Sequence, residues 1–488
     1  MKQIFWIVLV LITFLSGCKD NSQKAEEIVS KKPNIIFLFS DDQSYKAVNA
    51  LGNPEIITPT MDRLVDEGVT FTHAYNMGGW NGAICLASRA MVISGRSVWR
   101  AKEISENYSK NEELNKTWPR IMESAGYETY MTGKWHVRAK ADSIFNHVGH
   151  VLPGMPNQTP DGYNRPKSEN DTLWKPWKKE FDGFWKGGKH WSEMVKDDAV
   201  SFIDNASKQD KPFFMYIAFN APHDPRQSPK KYVDKYPLDN IAVPESFMDK
   251  YTYAEEMDSG EKLRDERLAP FPRTDYSVKV NRQEYYAITS HLDDQLKDIL
   301  SALEEKGVKE NTYIFFSSDH GLACGEHGLL GKQNMFDHSV RVPLMVVGPN
   351  IPKGKKVETD VYLQDIMASS LDVAGIEKPD FVDFNSLMNL ARGEQKEGNY
   401  NAIFGMYQQK SQRMIRKDGY KLILYPKSKT VLLYNLVKDP NELKNLSGDS
   451  NNDDKIKELF KDLIDLQKTM EDKLDLREVF TDLIFKEV

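Results

Sequence analysis

At 488 residues the chain exceeds the usual single-domain range, so one large domain with a smaller companion is expected. Apolar residues make up 40% and aromatic residues 11%, ordinary values for a protein with a sizeable core. A net charge of −7 gives no overall attraction to nucleic acid or acidic lipid, so no nucleic-acid partner is expected. Any preference for an anionic substrate must come from a local basic site.

The N-terminus reads "MKQIFWIVLVLITFLSGCKD": a basic residue, an apolar run and then small residues, the pattern of an export signal. The run is short for a membrane span, which needs about 20 residues. Leu15-Ser16-Gly17-Cys18 resembles a bacterial lipobox, which implies a signal peptide over 1–17 and a lipid-bearing Cys18. Residues 18–32 read as a polar tether. The expected location is therefore outside the cytoplasm, anchored to a bacterial membrane. With Cys18 so used, only Cys85 and Cys324 remain, which excludes a disulfide scaffold.

Four apolar runs bounded by loop residues read as strands of a buried parallel sheet: 34–39, 212–219, 312–318 and 343–348. Helical patterns lie between them, over 58–68, from Cys85 onward and over 283–307. The alternation predicts an α/β fold, a mostly parallel sheet sandwiched by helices, over 33–375. Beyond it, "RMIRKDGYKLILY" and "TVLLYNL" predict a short antiparallel meander, and 453–474 a charged amphipathic helix. Residues 376–488 are thus expected to form a smaller α+β subdomain.

Ligands of such sheets sit beyond the carboxyl ends of the strands. Asp41 and Asp42 follow the first run, His223 follows the second, and Asp319 and His320 follow the third. Two separated acidic clusters could supply the hard oxygen ligands that Ca²⁺ or Mg²⁺ requires. Cys85 opens a helical run with Arg89 four residues on, hence on the same face. A buried thiol before a core helix is the plain alternative. Lys134 and His136 alternate in a segment read as extended, and Lys332 follows the second acidic cluster. The loop "WKPWKKEFDGFWKGGKHW" (174–191) combines four tryptophans with five lysines. Trp174, Trp177, Trp185, Lys189 and His190 are expected to face a sugar there, by ring stacking and charge, the alternative being that the tryptophans pack the loop onto the sheet.

Cys85-Leu86-Ala87-Ser88-Arg89, followed by Ser94-Gly95-Arg96, resembles the signature of type I sulfatases of the alkaline phosphatase superfamily. Gly-Lys-Trp-His, Ala-Pro-His, Ser-Asp-His-Gly and a later Leu-Tyr-Asn-Leu segment occur in the order of that family, over about residues 31–450. The resemblance implies an alkaline-phosphatase-like fold and hydrolysis of the sulfate esters of a sulfated carbohydrate. It implies that Cys85 is oxidised to formylglycine by a maturation enzyme. It makes Asp41, Asp42, Asp319 and His320, with residue 85, the ligands of one Ca²⁺. Arg89 would stabilise residue 85, Lys134 and Lys332 would hold sulfate oxygens, His136 would serve the formylglycine hydroxyl, and His223 would face the leaving oxygen. Two positions depart from the family pattern. Ala87 stands where proline is usual, a form suited to radical-dependent maturation, and His320 stands where asparagine is common. A phosphate or phosphonate ester hydrolase of the same superfamily and a catalytically silent glycan-binding protein are the alternatives.

Overall fold

A computed structural model describes residues 31–156 and 159–483. The signal peptide, Cys18 and all but the last two residues of the tether lie outside the described residues. Eight strands form the main sheet: β1 (Asn34–Ser40), β2 (Val69–Phe71), β3 (Glu128–Lys134), β4 (His147–Leu152), β5 (Phe213–Ala218), β6 (Thr312–Ser318), β7 (Leu344–Val347) and β8 (Lys355–Val357). Their spatial order is β8-β2-β7-β6-β1-β5-β3-β4. Pairing is parallel from β6 through β4, whereas β7 runs antiparallel to both of its neighbours. The apolar run at 343–348 is therefore a strand, as expected, but a reversed one. A uniformly apolar strand looks the same in either direction.

The central strands are buried on both faces because helices cover both. Ile35, Phe37 and Phe39 of β1 join one apolar cluster, while Ile36 and Leu38 join another, and β5 and β6 alternate in the same way. The second cluster is closed by helices α3 (Trp191–Ala206) and α4 (Asp275–Glu305). Helix α1 (Pro59–Glu67) joins the same cluster through Met61, Leu64 and Val65, whereas α2 (Ile84–Ser94) supplies Val92 and Ile93 to the first. Helix α4 starts eight residues earlier than its apolar period indicates. Thr274 and Ser277 form a reciprocal capping box there, so a polar first turn is held by side chains instead of by packing.

The C-terminal meander is β9 (Ile403–Tyr407), β10 (Gln412–Lys417), β11 (Tyr420–Tyr425) and β12 (Thr430–Asn435), covered by α5 (Asp453–Thr469). Its sheet has a fifth member from far upstream, the two-residue strand Gly78–Gly79, which pairs parallel with β9. A Cβ on Gly78 would lie 2.0 Å from the Met406 carbonyl oxygen, so only glycine lets the two backbones meet. Residues 33–483 accordingly belong to one compact unit.

Candidate active site

Because β1, β3, β5 and β6 run in the same direction, their carboxyl ends converge, and each delivers polar residues to one place. Asp41 and Asp42 follow β1, Lys134 ends β3, His223 follows β5, and Asp319 and His320 follow β6. Asp42 adopts the left-handed conformation (φ 63°), which turns its side chain back toward the cluster. Cys85 and Arg89 descend from the first turns of α2, and both are buried.

Donor atoms of Asp41, Asp42, Cys85 and Asp319 all lie within 4.8 Å of one another. Arg89 Nε donates to Asp319 Oδ2 at 2.9 Å, and Nη1 donates to the Lys134 carbonyl at 2.8 Å. Lys134 Nζ bonds to Asp41 Oδ2. Lys332 Nζ reaches Asp42 at 2.6 and 2.7 Å and Cys85 Sγ at 3.0 Å. Among the buried atoms without a hydrogen-bond partner are Asp41 Oδ1, Arg89 Nη2 and His320 Nε2, the first two 3.9 Å apart. His320 Nδ1 meets the Gly321 carbonyl at 2.7 Å, so Nε2 is the nitrogen left for a ligand. The three carboxylates converge closely enough to share a divalent cation, and their oxygens favour a hard one, whereas His320 belongs to no such converging group among the described residues.

The charges explain how the groups titrate. Burial and the Asp319 carboxylate push Asp41 up to about 6. Asp42 is lowered: burial opposes its charge, but Lys332 and His223 outweigh burial. Asp319 is held well down by Arg89, Lys134 and Lys332 against burial. Burial with Asp319 and Asp41 nearby raises the Cys85 thiol well above its ordinary value, so the unmodified side chain is a protonated thiol, a weak nucleophile. Burial, then Lys134 and Arg89, lower His136 to about 3, which keeps its ring neutral. His223 is raised despite burial, chiefly by Asp224.

The structure therefore gathers Asp41, Asp42, Cys85, Arg89, Lys134, His223, Asp319, His320 and Lys332 around one centre. His136 enters differently from the expected alternation. The strand stops at Lys134 and His136 turns into the left-handed region (φ 49°), its ring packed on Gly154. Several participants had no clear sequence signal. His223 Nδ1 faces Asp224 Oδ1 at 3.1 Å, and Asp224 is gripped by the Tyr163 hydroxyl and by Arg264 at 3.4 Å. Asp224 adjoins His223 in the Ala-Pro-His-Asp stretch and could have been read there. Tyr163 and Arg264 come from long loops without period. Gln333, beside Lys332, accepts through its carbonyl from Ser259 Oγ and from Gln412 Nε2 at the start of β10.

The tryptophan loop requires a correction. Trp174 and Trp185 are only 8% and 5% exposed, with Nε1 donating to Glu284 Oε1 (2.8 Å) and to the Pro176 carbonyl (3.3 Å). His190 is wholly buried, facing the Gln227 carbonyl and capping α3. Trp177 is half-buried beside Lys175 and Lys230, and Lys189 is exposed and paired with Asp197. The rings pack the loop onto α3 and α4 instead of forming a sugar-stacking wall, because large aromatics gain most from the core.

A family model described as Sulfatase matches residues 33–376, and one described as N-sulphoglucosamine sulphohydrolase, C-terminal, matches 325–469. The chain is 27% identical to an N-acetylglucosamine-6-O-sulfatase of Bacteroides thetaiotaomicron, covering 94% of this chain and 89% of that protein. It is also 27% identical to an ulvan-active sulfatase of Formosa agariphila, covering 91% and 82%. Among solved structures, a protein in complex with its substrate D-glucosamine-2-N,6-O-disulfate shares the fold at TM-score 0.72 and 23% identity, covering 91% of this chain and 99% of that chain. The phosphonate monoester hydrolase of Agrobacterium radiobacter shares it at TM-score 0.71 and 20% identity, covering 90% and 96%.

Proposed function

This chain belongs to the sulfatase family, enzymes that hydrolyse sulfate esters, and from that membership we propose that its substrate is a sulfated oligosaccharide or polysaccharide. The observation that carries the reading is the convergence of Asp41, Asp42, Cys85 and Asp319 with Lys134, Lys332 and Arg89 at one buried centre. The two relatives named above are sulfatases of an amino sugar and of a polysaccharide, which supports a carbohydrate substrate.

In this reading Asp41, Asp42, Asp319 and His320 would hold one Ca²⁺, which would supply Lewis-acid polarisation of the ester when bound. Cys85 is oxidised to formylglycine, whose hydrate supplies the oxygen nucleophile. Lys134 and Lys332, resting on Asp41 and Asp42, swing to the sulfate oxygens when an ester enters. Their ammonium groups stabilise the charge of the transferring group. Arg89 stays bound to Asp319 and fixes the helix that carries residue 85. His223 Nε2 delivers a proton to the leaving oxygen, and the neutral His136 ring accepts one. Ala87 favours a radical-dependent maturation enzyme, and Leu15-Ser16-Gly17-Cys18 supports export and anchoring through Cys18.

Mass spectrometry of the tryptic peptide containing residue 85, followed by assays on an aryl sulfate and an aryl phosphate, tests the reading. The expected results are an aldehyde at position 85 and turnover of the sulfate. An intact thiol in fully active enzyme, or faster turnover of the phosphate, overturns it. Incorporation of labelled fatty acid, lost in Cys18→Ala, tests the anchor.

A further inference from the structure

Outside the catalytic centre, two short segments carry lysine at unusual density. Residues 175–189 contain five lysines against Glu180 and Asp182, and residues 230–235 contain three against Asp234. Both stretches are positive in a chain whose net charge is −7. They meet in space at Trp177, whose ring centroid lies 5.7 Å from Lys175 Nζ and 5.4 Å from Lys230 Nζ.

The same arrangement repeats across the surface. Lys178 stands 5.8 Å from the Phe181 ring, Lys179 stands 5.3 Å from Trp185, and Lys231 and Lys235 stand 4.8 and 4.9 Å from Tyr232. An ammonium over a ring gains about 0.5–1 kcal/mol at an exposed site while keeping its full charge. Two of these rings are rigid mounts, since Trp185 and Tyr232 are buried and Tyr232 Oη donates to Asp294 at 2.6 Å. Lys175, Lys179, Lys186, Lys231 and Lys235 form no ion pair among the described residues. Trp185 and Tyr232 thus steady Lys179, Lys231 and Lys235, which no carboxylate pairs among the described residues, although Glu193, Asp294 and Asp298 share the hollow that Lys231 lines.

Both segments are tied to the stretch that leaves His223. Gln227 accepts from the Phe184 amide at 2.7 Å, and its carbonyl faces His190 Nε2 at 3.0 Å. Lys230 follows His223 by seven residues, which span at most about 25 Å. Lys230, at the edge of the lysine surface, therefore lies within that reach of His223.

We propose that this lysine–aromatic surface is a second binding platform for the substrate chain, holding anionic groups of a sulfated glycan away from the ester being cleaved. The proposal rests on the reading that the substrate is a sulfated carbohydrate. Lysine acts as a point charge and suits sulfates at variable spacing, whereas a bidentate site demands one geometry.

The test uses the full chain carrying Cys85→Ala, with dextran sulfate and uncharged dextran as probes in titration calorimetry. Dextran sulfate should bind and dextran should not. The triple variant Lys186→Glu/Lys231→Glu/Lys235→Glu should bind dextran sulfate at least about tenfold more weakly, and added salt should weaken the parent more than the variant. In the chain with Cys85 intact, the triple variant should turn over a small aryl sulfate within about twofold of the parent, because that ester is too short to reach the surface. Unchanged affinity of the triple variant for dextran sulfate, or equal binding of dextran, overturns the proposal. If the parent fails to cleave the aryl sulfate while lysine-dependent binding persists, the platform stands and the sulfatase reading falls.

Discussion

Two buried ionic clusters, built from the same residue types, behave differently. At the candidate active site the carboxylates face one another, and Asp41 Oδ1 and His320 Nε2 make no hydrogen bond, although Arg89 Nη2 stands 3.9 Å from the former. Where the C-terminal sheet meets the main body, Lys421 is equally buried, yet its ammonium is fully used. It contacts Asp337 Oδ1 at 2.5 Å, Glu442 Oε1 at 2.8 Å and the Met335 carbonyl at 3.2 Å. Burial of charge alone therefore does not mark a site. Donor atoms converging on a common centre with spare lone pairs do, because such an arrangement costs stability unless a ligand completes it.

Breaking each cluster should separate the two roles. Cys85→Ala should bring aryl sulfate turnover to background while leaving the thermal midpoint within about a degree, since removal of one buried sulfur opens little space. Loss of the folded state in that variant would place Cys85 among structural residues. Asp42→Ala should lose bound metal and at least about a thousandfold in turnover together, because the cation and Lys332 both lose their anchor. Elemental analysis showing a full complement of metal would remove Asp42 from the ligand set. Lys421→Met should do the reverse, costing about 3–5 kcal/mol in denaturant unfolding by leaving Asp337 and Glu442 uncompensated, with turnover per folded molecule unchanged.

The smallest effect sharpens the comparison through pH. Glu284 is buried against Trp174 Nε1, and burial pushes its carboxyl up to about 7 against the pull of Arg226. A raised folded-state value means that its contribution is fully present below the unfolded value near 4.5 and is lost as pH rises through about 7. Wild-type stability should decline over that window by roughly 2–3 kcal/mol, at about 1.4 kcal/mol per unit. Glu284→Gln keeps an acceptor for the indole and should flatten the decline. An identical pH profile in the variant would assign the slope to other groups.

The parts legible in sequence were those with local causes. The fully apolar runs gave β1, β5 and β6, whose parallel pairing follows from the helices between them. The polar residues after those runs gave the buried ionic cluster of the candidate site, because strand ends in such sheets converge. What escaped depends on distant partners. The direction of β7 is decided by its neighbours, and Tyr163 and Arg264 reach Asp224 only because two loops fold over it. The tryptophan loop misled for the opposite reason. Its composition resembles a sugar-binding surface, but packing claimed Trp174, Trp185 and Trp191 and left most of the lysines to solvent.

The pairing of Gly78–Gly79 with β9 also sets a clock. Cys85, 3% exposed in the finished structure, sits just beyond a strand whose partner is made very late. At about 5–20 residues per second, the roughly 320 residues from Cys85 to Tyr407 take about 15–65 s to synthesise. Until then the backbone ahead of α2 lacks its neighbour, and an enzyme of the kind proposed to modify residue 85 would find the thiol uncovered. Once β9 docks, access closes. Supplying the maturation enzyme during synthesis should yield modified residue 85, whereas adding it to folded protein should leave the thiol intact. Efficient conversion after folding would show that the clock does not run.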